Sequence, residues 1–499
     1  MKHNIVLGPP GTGKTTYLLN TVDKLFTEGV RPYELGYLAF TKKAANEALS
    51  RAMKKFDYDK DELPYFRTIH SLCYFWQGLT TADILDRKAL RMFSEVVGER
   101  ISSAWDGENY MALSSKGDQM LFLENMARNM CVEYKESWSG SGYDISWLHF
   151  DWFCKSYVDY KDKHFLKDYT DMLSGFLHHK NTPDLKAIIV DEAQDLSQLQ
   201  WRCIYKLAEK ADYVYFAGDD DQAIYTWAGA DTNEFINLKG QNIYLEQSYR
   251  VPKKVHDVAF KIVNRIKNRK PKTWLPRSEE GEVSYHKSFE HIDMSEGEWL
   301  ILARNNYLLT EVENYLKTIG YFYYKNNKPS ISEVLIQAIK DWEKLRSGGK
   351  VKAEDVRKIY NYMRAGVGVK KGYKTMKQAD PKKEVDINKL KKEYGLLVDK
   401  IWHECFDLLG DTQKEYIVSS LRKGEKTMDI RIRLSTIHAI KGGECDNVIL
   451  LTDLANRTYE ELYKNPDDEC RAFYVGVTRT KKHLHIISSK TRREFNLWI

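Results

Sequence analysis

The chain has 499 residues, 42% of them hydrophobic, enough for three or four structural units at about 100–200 residues each. Its 77 basic and 71 acidic residues leave a formal charge of +6, too even a balance to name a polyanion partner from the whole chain. The seven cysteines show no CxxC pair and no His/Cys cluster, which argues against a zinc or iron–sulfur site, and no apolar run approaches the ~20 residues of a membrane span.

The opening MKHNIVLG is too short and too soon broken by glycine for a signal peptide. With an odd, irregularly spaced set of cysteines, this reads as a protein of a reducing cytosol with no membrane partner. Residues 3–7 (HNIVL) form a short apolar run before glycines and predict a buried strand, with a helix from about residue 14. A strand at 36–40 and a helix at 42–55 follow. Residues 186–190 (KAIIV) and 213–217 (YVYFA) are two more buried-strand candidates. Between them, 75–184 is rich in Trp, Met and Leu at helical spacing and reads as a mainly helical insertion. A second set comprises strands at 242–245, 299–303, 431–437, 447–451 and 483–488 and a helix at 255–266. It is interrupted by a basic segment at 328–428. Strands alternating with helices predict parallel sheets covered on both faces.

The expected organisation is therefore α/β: a first lobe at 1–74 and 185–241, a second at 242–327 and 429–499, and an insertion in each. Residues 340–400 carry 18 Lys/Arg against 9 Asp/Glu, which fits either a solvated lysine-rich surface or one that faces a polyanion.

GPPGTGKT at 8–15 matches G-x-x-x-x-G-K-[ST] in a strand–loop–helix context. Glycines there let successive N–H groups turn toward phosphate oxygens at a helix N-terminus. Candidate contacts are Gly8, Pro9, Pro10, Gly11, Thr12, Gly13, Lys14, Thr15 and Thr16, with Lys14 on the β- and γ-phosphates and Thr15 on Mg²⁺. Asp191 and Glu192 follow KAIIV at the carboxyl end of a strand, where ligand sites of such sheets lie. Asp191 suits Mg²⁺, and Glu192 suits polarising the attacking water. A lone Asp–Glu pair also serves as helix N-terminal charge, and a phosphate loop alone also serves small-molecule kinases. Arg250 and Arg479 are candidate cations for charge building on the γ-phosphate; taken alone, each reads as well as a surface ion pair. The stretch AGDDDQAIYTWAGAD at 217–231 sets carboxylates and Gln222 directly before Tyr225 and Trp227, rings that in isolation read as core aromatics.

Together, GPPGTGKT, FTKKAANEA, DEAQD, GDDDQAIYTWAGA, YLEQSYR, LSTIHAIKGGE and RAFYVGVTR resemble, in order and spacing, the superfamily-one helicases of the UvrD/Rep/PcrA type. The resemblance implies two RecA-like lobes with ATP between them and single-stranded DNA across their tops. It implies an ATP-dependent motor moving 3′ to 5′, acting as a monomer on single strands and on junctions with duplex. It assigns Gln222 to the γ-phosphate, Tyr249 to adenine, Glu444 to the ribose, and Arg250 and Arg479 as fingers. On the DNA side it points to Phe40, Thr41, His70, Tyr225 and Trp227, with Thr436 and His438 between the two sites. It leads us to expect the Asp219-to-Gln222 half of the loop to face the nucleotide and the Tyr225 and Trp227 half to face bases.

The sequence departs from that family pattern in four places. Seven residues precede Gly8, where the family carries a glutamine-bearing adenine reader. Ala228 stands where an arginine is common. GPPGTGKT is commoner in the related 5′-to-3′ branch, whereas KGGE favours the UvrD side. The second insertion is short, and with only twenty residues following Arg479 no appended nuclease domain is expected. The compact build suits a phage-encoded or minimal bacterial enzyme. A translocase without unwinding, a 5′-to-3′ or RNA motor, and a nucleic-acid scaffold with a decayed ATPase are the competing readings.

Overall fold

A computed structural model describes residues 2–102, 115–377, 379–425 and 429–497. The parts of the two expected insertions at 103–114, 378 and 426–428 lie outside the described residues. Six strands, β1 (Lys2–Leu7), β2 (Leu35–Ala39), β3 (Phe66–Thr68), β4 (Ala187–Asp191), β5 (Tyr213–Gly218) and β6 (Gln241–Tyr244), form one sheet in the order β3-β2-β4-β5-β1-β6. Every pair in it is parallel. A second sheet uses β7 (Glu282–His286), β8 (Trp299–Ala303), β9 (Tyr323–Lys325) and β10 (Lys328–Pro329). After the short pair β11 (Val351–Lys352) and β12 (Glu384–Val385), it is completed by β13 (Ile432–Thr436), β14 (Cys445–Leu451) and β15 (Thr480–Ile487). Its order is β10-β9-β13-β8-β14-β15-β7, parallel except for the β9–β10 hairpin at one edge. These are the two RecA-like lobes.

Strand periodicity explains how each sheet is covered on both faces. In the first sheet Ile5, Leu7, Leu38, Ile188 and Val190 face helices Ile69–Trp76, Tyr169–His178 and Gln198–Ala208. The alternate residues Val6, Leu35, Tyr37, Ala187 and Ile189 face helices Lys14–Thr27 and Lys42–Phe56. In the second sheet Leu300, Leu302, Val448 and Leu450 pack against helices Lys253–Val263 and Pro466–Val477. Each such Val, Leu or Ile side chain contributes about 1.5–3 kcal/mol on burial.

One expectation needs correction. The strand expected at 242–245 does not open the second sheet; β6 pairs in parallel with β1 at the edge of the first. A strand pattern marks extended backbone but does not name the edge it joins. The chain therefore leaves the first lobe only after Tyr244. The short β3 (FRT) and the polar edge strand β7 (EVSYH) carry too little apolar alternation to be read from sequence.

The two insertions are built differently. In the first, helices Arg87–Val97, Lys116–Met130 and Trp147–Lys163 enclose their own core of Phe93, Met120, Phe150, Phe153 and Tyr157. Helix Tyr169–His178 leaves that core and lays Met172, Leu173 and Phe176 on the first sheet. In the second, Trp342, Ile359, Tyr360 and Phe406 join one continuous core with Trp299, Ile301, Ile432 and Ile449 of the second sheet. Its lysines Lys370, Lys371, Lys377, Lys382 and Lys383 are exposed. No helix among the described residues is long and apolar enough to cross a membrane.

The separate core of the first insertion has a measurable consequence. Phe153→Ala should remove about 3–5 kcal/mol from that core and lower the midpoint of a thermal transition followed by tryptophan fluorescence. An unchanged midpoint would show that this cluster does not melt as a cooperative unit.

Candidate nucleotide and nucleic-acid site

The order β4-β5-β1 places the carboxyl ends of three adjacent strands side by side. Asp191 ends β4, Asp219 follows β5, and the phosphate loop follows β1, its Gly8 N–H donating to the Gly218 carbonyl at 3.0 Å. Gly11 and Gly13 hold φ of 73° and 77°, a left-handed backbone that L side chains rarely adopt. A Cβ on Gly11 would also collide with the Cβ of Arg250. Helix Lys14–Thr27 begins directly after Gly13, which leaves its first N–H groups facing the loop.

Lys14 Nζ lies 2.7 Å from Glu192 Oε1. Burial works against the Lys14 ammonium, but Glu192 and Asp191 outweigh it and hold its pKa above the ordinary lysine value. Glu192 has φ 56° and ψ 40°, a left-handed conformation that costs a non-glycine residue about 1–3 kcal/mol. Burial alone would raise the Glu192 pKa, yet Lys14 and Lys441 hold it down at about 2. Burial pushes the Asp191 carboxyl up to about 6 against the pull of Lys14. Its two oxygens are fixed by the Tyr37 hydroxyl at 3.1 Å and the Glu192 N–H at 3.0 Å. Thr15 is half-buried on the first helical turn, and Thr16 is exposed.

The second lobe closes over this cradle. Ser248 Oγ donates to the Pro10 carbonyl at 2.7 Å, and the Tyr249 N–H donates to the Gly11 carbonyl at 2.8 Å. The Tyr249 ring is 73% exposed at the edge of the loop. Arg250 Nε donates to Glu444 Oε2 at 2.6 Å. Arg479, 1% exposed, donates from Nη2 to Gln222 Oε1 at 2.8 Å, and Gln222 Nε2 donates to Asp219 Oδ2 at 2.7 Å. Burial and the neighbouring Arg250 push the Arg479 guanidinium down to about 9, so it stays charged at neutral pH. Both arginines thus reach the phosphate loop or its Gln222 neighbour from the opposite lobe.

The carboxylates before Gln222 behave differently from expectation. Asp220 and Asp221 pair with the second lobe rather than turning to a ligand: Lys272 Nζ lies 2.6 and 2.7 Å from them, and Arg269 grips both Asp221 oxygens at 2.7 and 2.6 Å. Buried carboxylates need cations more than they need a view of the phosphates. Gln222 is the part of this half that meets the cleft.

Of the rings expected to hold DNA, Phe40, Tyr225 and Trp227 are drawn with His438 into one cluster from three segments, and His70 lies outside it. Phe40 and Tyr225 centroids are 5.3 Å apart, Tyr225 and Trp227 6.3 Å, and the His438 ring lies 6.4 and 6.3 Å from those two. The Tyr225 hydroxyl donates to the His438 carbonyl at 3.2 Å. Burial, with Arg304 and Lys441 nearby, holds His438 well below the usual imidazole pKa. Thr436 ends β13 and its hydroxyl accepts from the Ala439 N–H at 3.2 Å. The Thr41 hydroxyl caps helix Lys42–Phe56 by accepting from Ala44 N at 3.1 Å. His70 stands edge-on to Tyr169 at 6.1 Å, and burial lowers its pKa to about 4. A groove of about 860 Å³ between the lobes, lined in part by Arg202, Thr226, Asn268 and Lys464, opens beside this cluster.

Lys441 escaped the sequence reading, although it lies inside LSTIHAIKGGE between His438 and Glu444. From the second lobe it pairs with Asp195, donates to the Gln222 carbonyl at 2.6 Å, and comes within 4.0 Å of Glu192. Its ammonium also lies 5.3 Å from the Tyr225 ring centroid. A lysine within a motif carries no periodic signal, and only the folded chain shows what it reaches.

The comparisons agree with this geometry. The model of the UvrD/REP helicase N-terminal domain matches residues 1–242, and that of the UvrD-like helicase C-terminal domain matches 302–491. The chain belongs to the UvrD-like helicases. The ATP-dependent DNA helicase PcrA of Staphylococcus aureus strain Mu50 is 24% identical over 322 residues, covering 58% of this chain and 42% of that protein. PcrA of Bacillus subtilis strain 168 is 26% identical over 360 residues, covering 67% and 47%. The matches thus span less than half the length of these relatives. The first UvrD-like model ends two residues before the end of β6, in keeping with that strand's place in the first sheet.

The Lys441 bridge is testable by itself. Lys441→Met leaves Asp195 buried without its cation and should cost about 3–5 kcal/mol in chemical denaturation. Adding Asp195→Asn should recover most of that loss, because the uncompensated charge is gone. Equal stability of the single and double variants would show that the pair does not tie the lobes.

Proposed function

We propose that this chain is an ATP-dependent motor that moves 3′ to 5′ on single-stranded DNA and unwinds duplex at junctions. The observation that carries the reading is the loop of residues 219–230. Its Gln222 amide joins the Arg479 guanidinium beside the phosphate loop, and three residues later Tyr225 enters the ring cluster. One short piece of backbone links a site for phosphate charge to a surface for bases. Stacking there is worth about 1–3 kcal/mol per base and tolerates any sequence.

The residues present fit ATP and Mg²⁺. The glycine cradle admits phosphates, and Thr15 with Asp191 makes an oxygen-only donor pair of the kind Mg²⁺ takes. Bound there, Mg²⁺ would offset phosphate charge. Lys14 is ion-paired to Glu192. Drawing Lys14 to the phosphates removes that cation from Glu192, which then becomes a stronger base for the attacking water. Arg250 and Arg479 meet the charge that develops on the γ-phosphate. Tyr249 covers the base at the cradle edge, and Glu444, next to Arg250, faces the ribose. Loss of the γ-phosphate removes the charge that Arg250 and Arg479 meet from the opposite lobe, and the lobes open. Phe40, Tyr225, Trp227 and His438 grip the strand in alternation as they do so, with Thr41, His70 and Thr436 along its route.

Both lobes of the site come from one chain, which supports a monomeric motor. The exposed lysines at 370–383 support contact with duplex phosphates at a junction. The UvrD-like family match supports the 3′-to-5′ direction over the opposite polarity and over RNA. Seven free cysteines support a reducing, cytosolic setting.

Tailed duplexes of each polarity, in DNA and RNA, test the reading with an ATPase assay alongside. Unwinding from a 3′ DNA tail, with turnover that single-stranded DNA stimulates and Lys14→Ala abolishes, is expected. Turnover without unwinding would leave a translocase, and unwinding from a 5′ tail would reverse the direction. Trp227→Ala should weaken single-strand binding by about 1–3 kcal/mol and lower the distance moved per ATP; unchanged translocation speed would reject the stacking role.

A further inference from the structure

Residues 268–276 form a strap that touches both halves of the cleft. At one end the Lys270 N–H donates to Asp220 Oδ2 at 2.8 Å, and Arg471 ties the Asp220 and Asn268 carbonyls together at 3.0 and 2.6 Å. At the other end the Leu275 carbonyl accepts from the Ser248 N–H at 2.8 Å, directly beside Arg250. Between them, Lys272 is buried against three carboxylates, 3.1 Å from Asp219, 2.6 Å from Asp220 and 2.7 Å from Asp221. All four side chains are at most 1% exposed.

Stability alone gives a poor reason for this arrangement. Removing a charge from water costs several kcal/mol, and apolar packing of the same volume often does as well or better. What ions add is orientation. Asp219 Oδ1 receives Lys272 and, at 3.2 Å, the Asp221 N–H, while Oδ2 receives the Gln222 amide. An ionised carboxylate only accepts, so the Gln222 NH₂ must face it and the Gln222 carbonyl must face Arg479. Burial opposes the charged forms on both sides. The three carboxylates nevertheless hold the Lys272 pKa above the ordinary lysine value, so the cation persists across the working pH range.

We propose that Lys272 is a positioning residue for ATP hydrolysis: through Asp219 it fixes which end of the Gln222 amide meets Arg479, and so sets the finger. This rests on the ATPase reading above. The strap also joins the Arg250 segment, so one structural unit aligns both arginines with the cradle.

The test is a double-mutant cycle in steady-state ATPase assays of the full chain with a single-stranded DNA oligonucleotide. Lys272→Met/Asp220→Asn removes one charge of each sign. Asp219→Asn is nearly isosteric and adds a donor that lets the Gln222 amide flip. Each should lower kcat, by about 100-fold for the first, while KM for ATP stays within about a factor of three. In a Gln222→Ala background, each should cost little more, because the pathway is already cut. A merely structural role would give the same loss in both backgrounds. Equal losses, a change confined to KM, or unchanged kcat would each overturn the inference. If Lys272→Met/Asp220→Asn does not fold, judged by its melting curve, Asp219→Asn decides alone. An unmodified chain that hydrolyses no ATP would remove the ATPase reading and this inference with it; an active one with indifferent variants would remove only the inference.

Discussion

Three consecutive carboxylates cannot be buried without cations, and in this fold the cations come from the other lobe. Lys272 and Arg269 supply them to Asp219, Asp220 and Asp221. That neutralisation anchors the loop following β5 to the second lobe, although its backbone continues from the first sheet. Ile224, five residues after Asp219, is packed in the core of the second lobe beside Val251 and Val255. The loop is thus held at its start by the first sheet and in its middle by the second lobe. Gln222 lies between these two holds, which is where a change in the spacing of the lobes is felt most.

A second set of ion pairs lines the same seam: Lys441–Asp195 crosses it, Lys14–Glu192 lies within the first lobe, and Arg250–Glu444 lies within the second. All three set a cation against a carboxylate close to the phosphate loop or to Gln222. Such pairs order the groups lining the cleft at modest net energy, because desolvation offsets most of their attraction. The pairs around Lys272 are fully buried, whereas those around the cradle are partly open to solvent.

Much of this could be read from the chain before any coordinates. The apolar runs HNIVL, KAIIV, YVYFA and WLILA are strands because each is long enough to cross a sheet and bounded by breakers. GPPGTGKT could be placed because its spacing has one physical use after a strand. The family resemblance, and no pattern in their neighbourhoods, singled out Phe40, Tyr225, Trp227 and His438; that they gather in one cluster while His70 stands apart was not legible. What stayed hidden depends on pairing over long distances. The edge joined by β6 is decided by β1, more than two hundred residues earlier. The partners of Asp220 and Asp221 lie about fifty residues on, in NRKPK, a stretch that reads locally as a polar turn. Lys441 was visible as a letter within a motif, but its reach to Asp195 was not.

The unequal construction of the two insertions bears on how the molecule could be trimmed or spliced. The first carries its own apolar interior over helices Arg87–Val97, Lys116–Met130 and Trp147–Lys163, so removing that part while keeping helix Tyr169–His178 would leave the sheet largely clothed. The second shares its interior with Trp299, Ile301, Ile432 and Ile449. Excising it would strip one side of the second sheet bare and invite aggregation. It is therefore better regarded as the missing layer of that lobe than as a detachable appendage. Any load taken up by its lysine-bearing loop passes straight into the strands that carry Thr436 and, through their neighbours, Arg479.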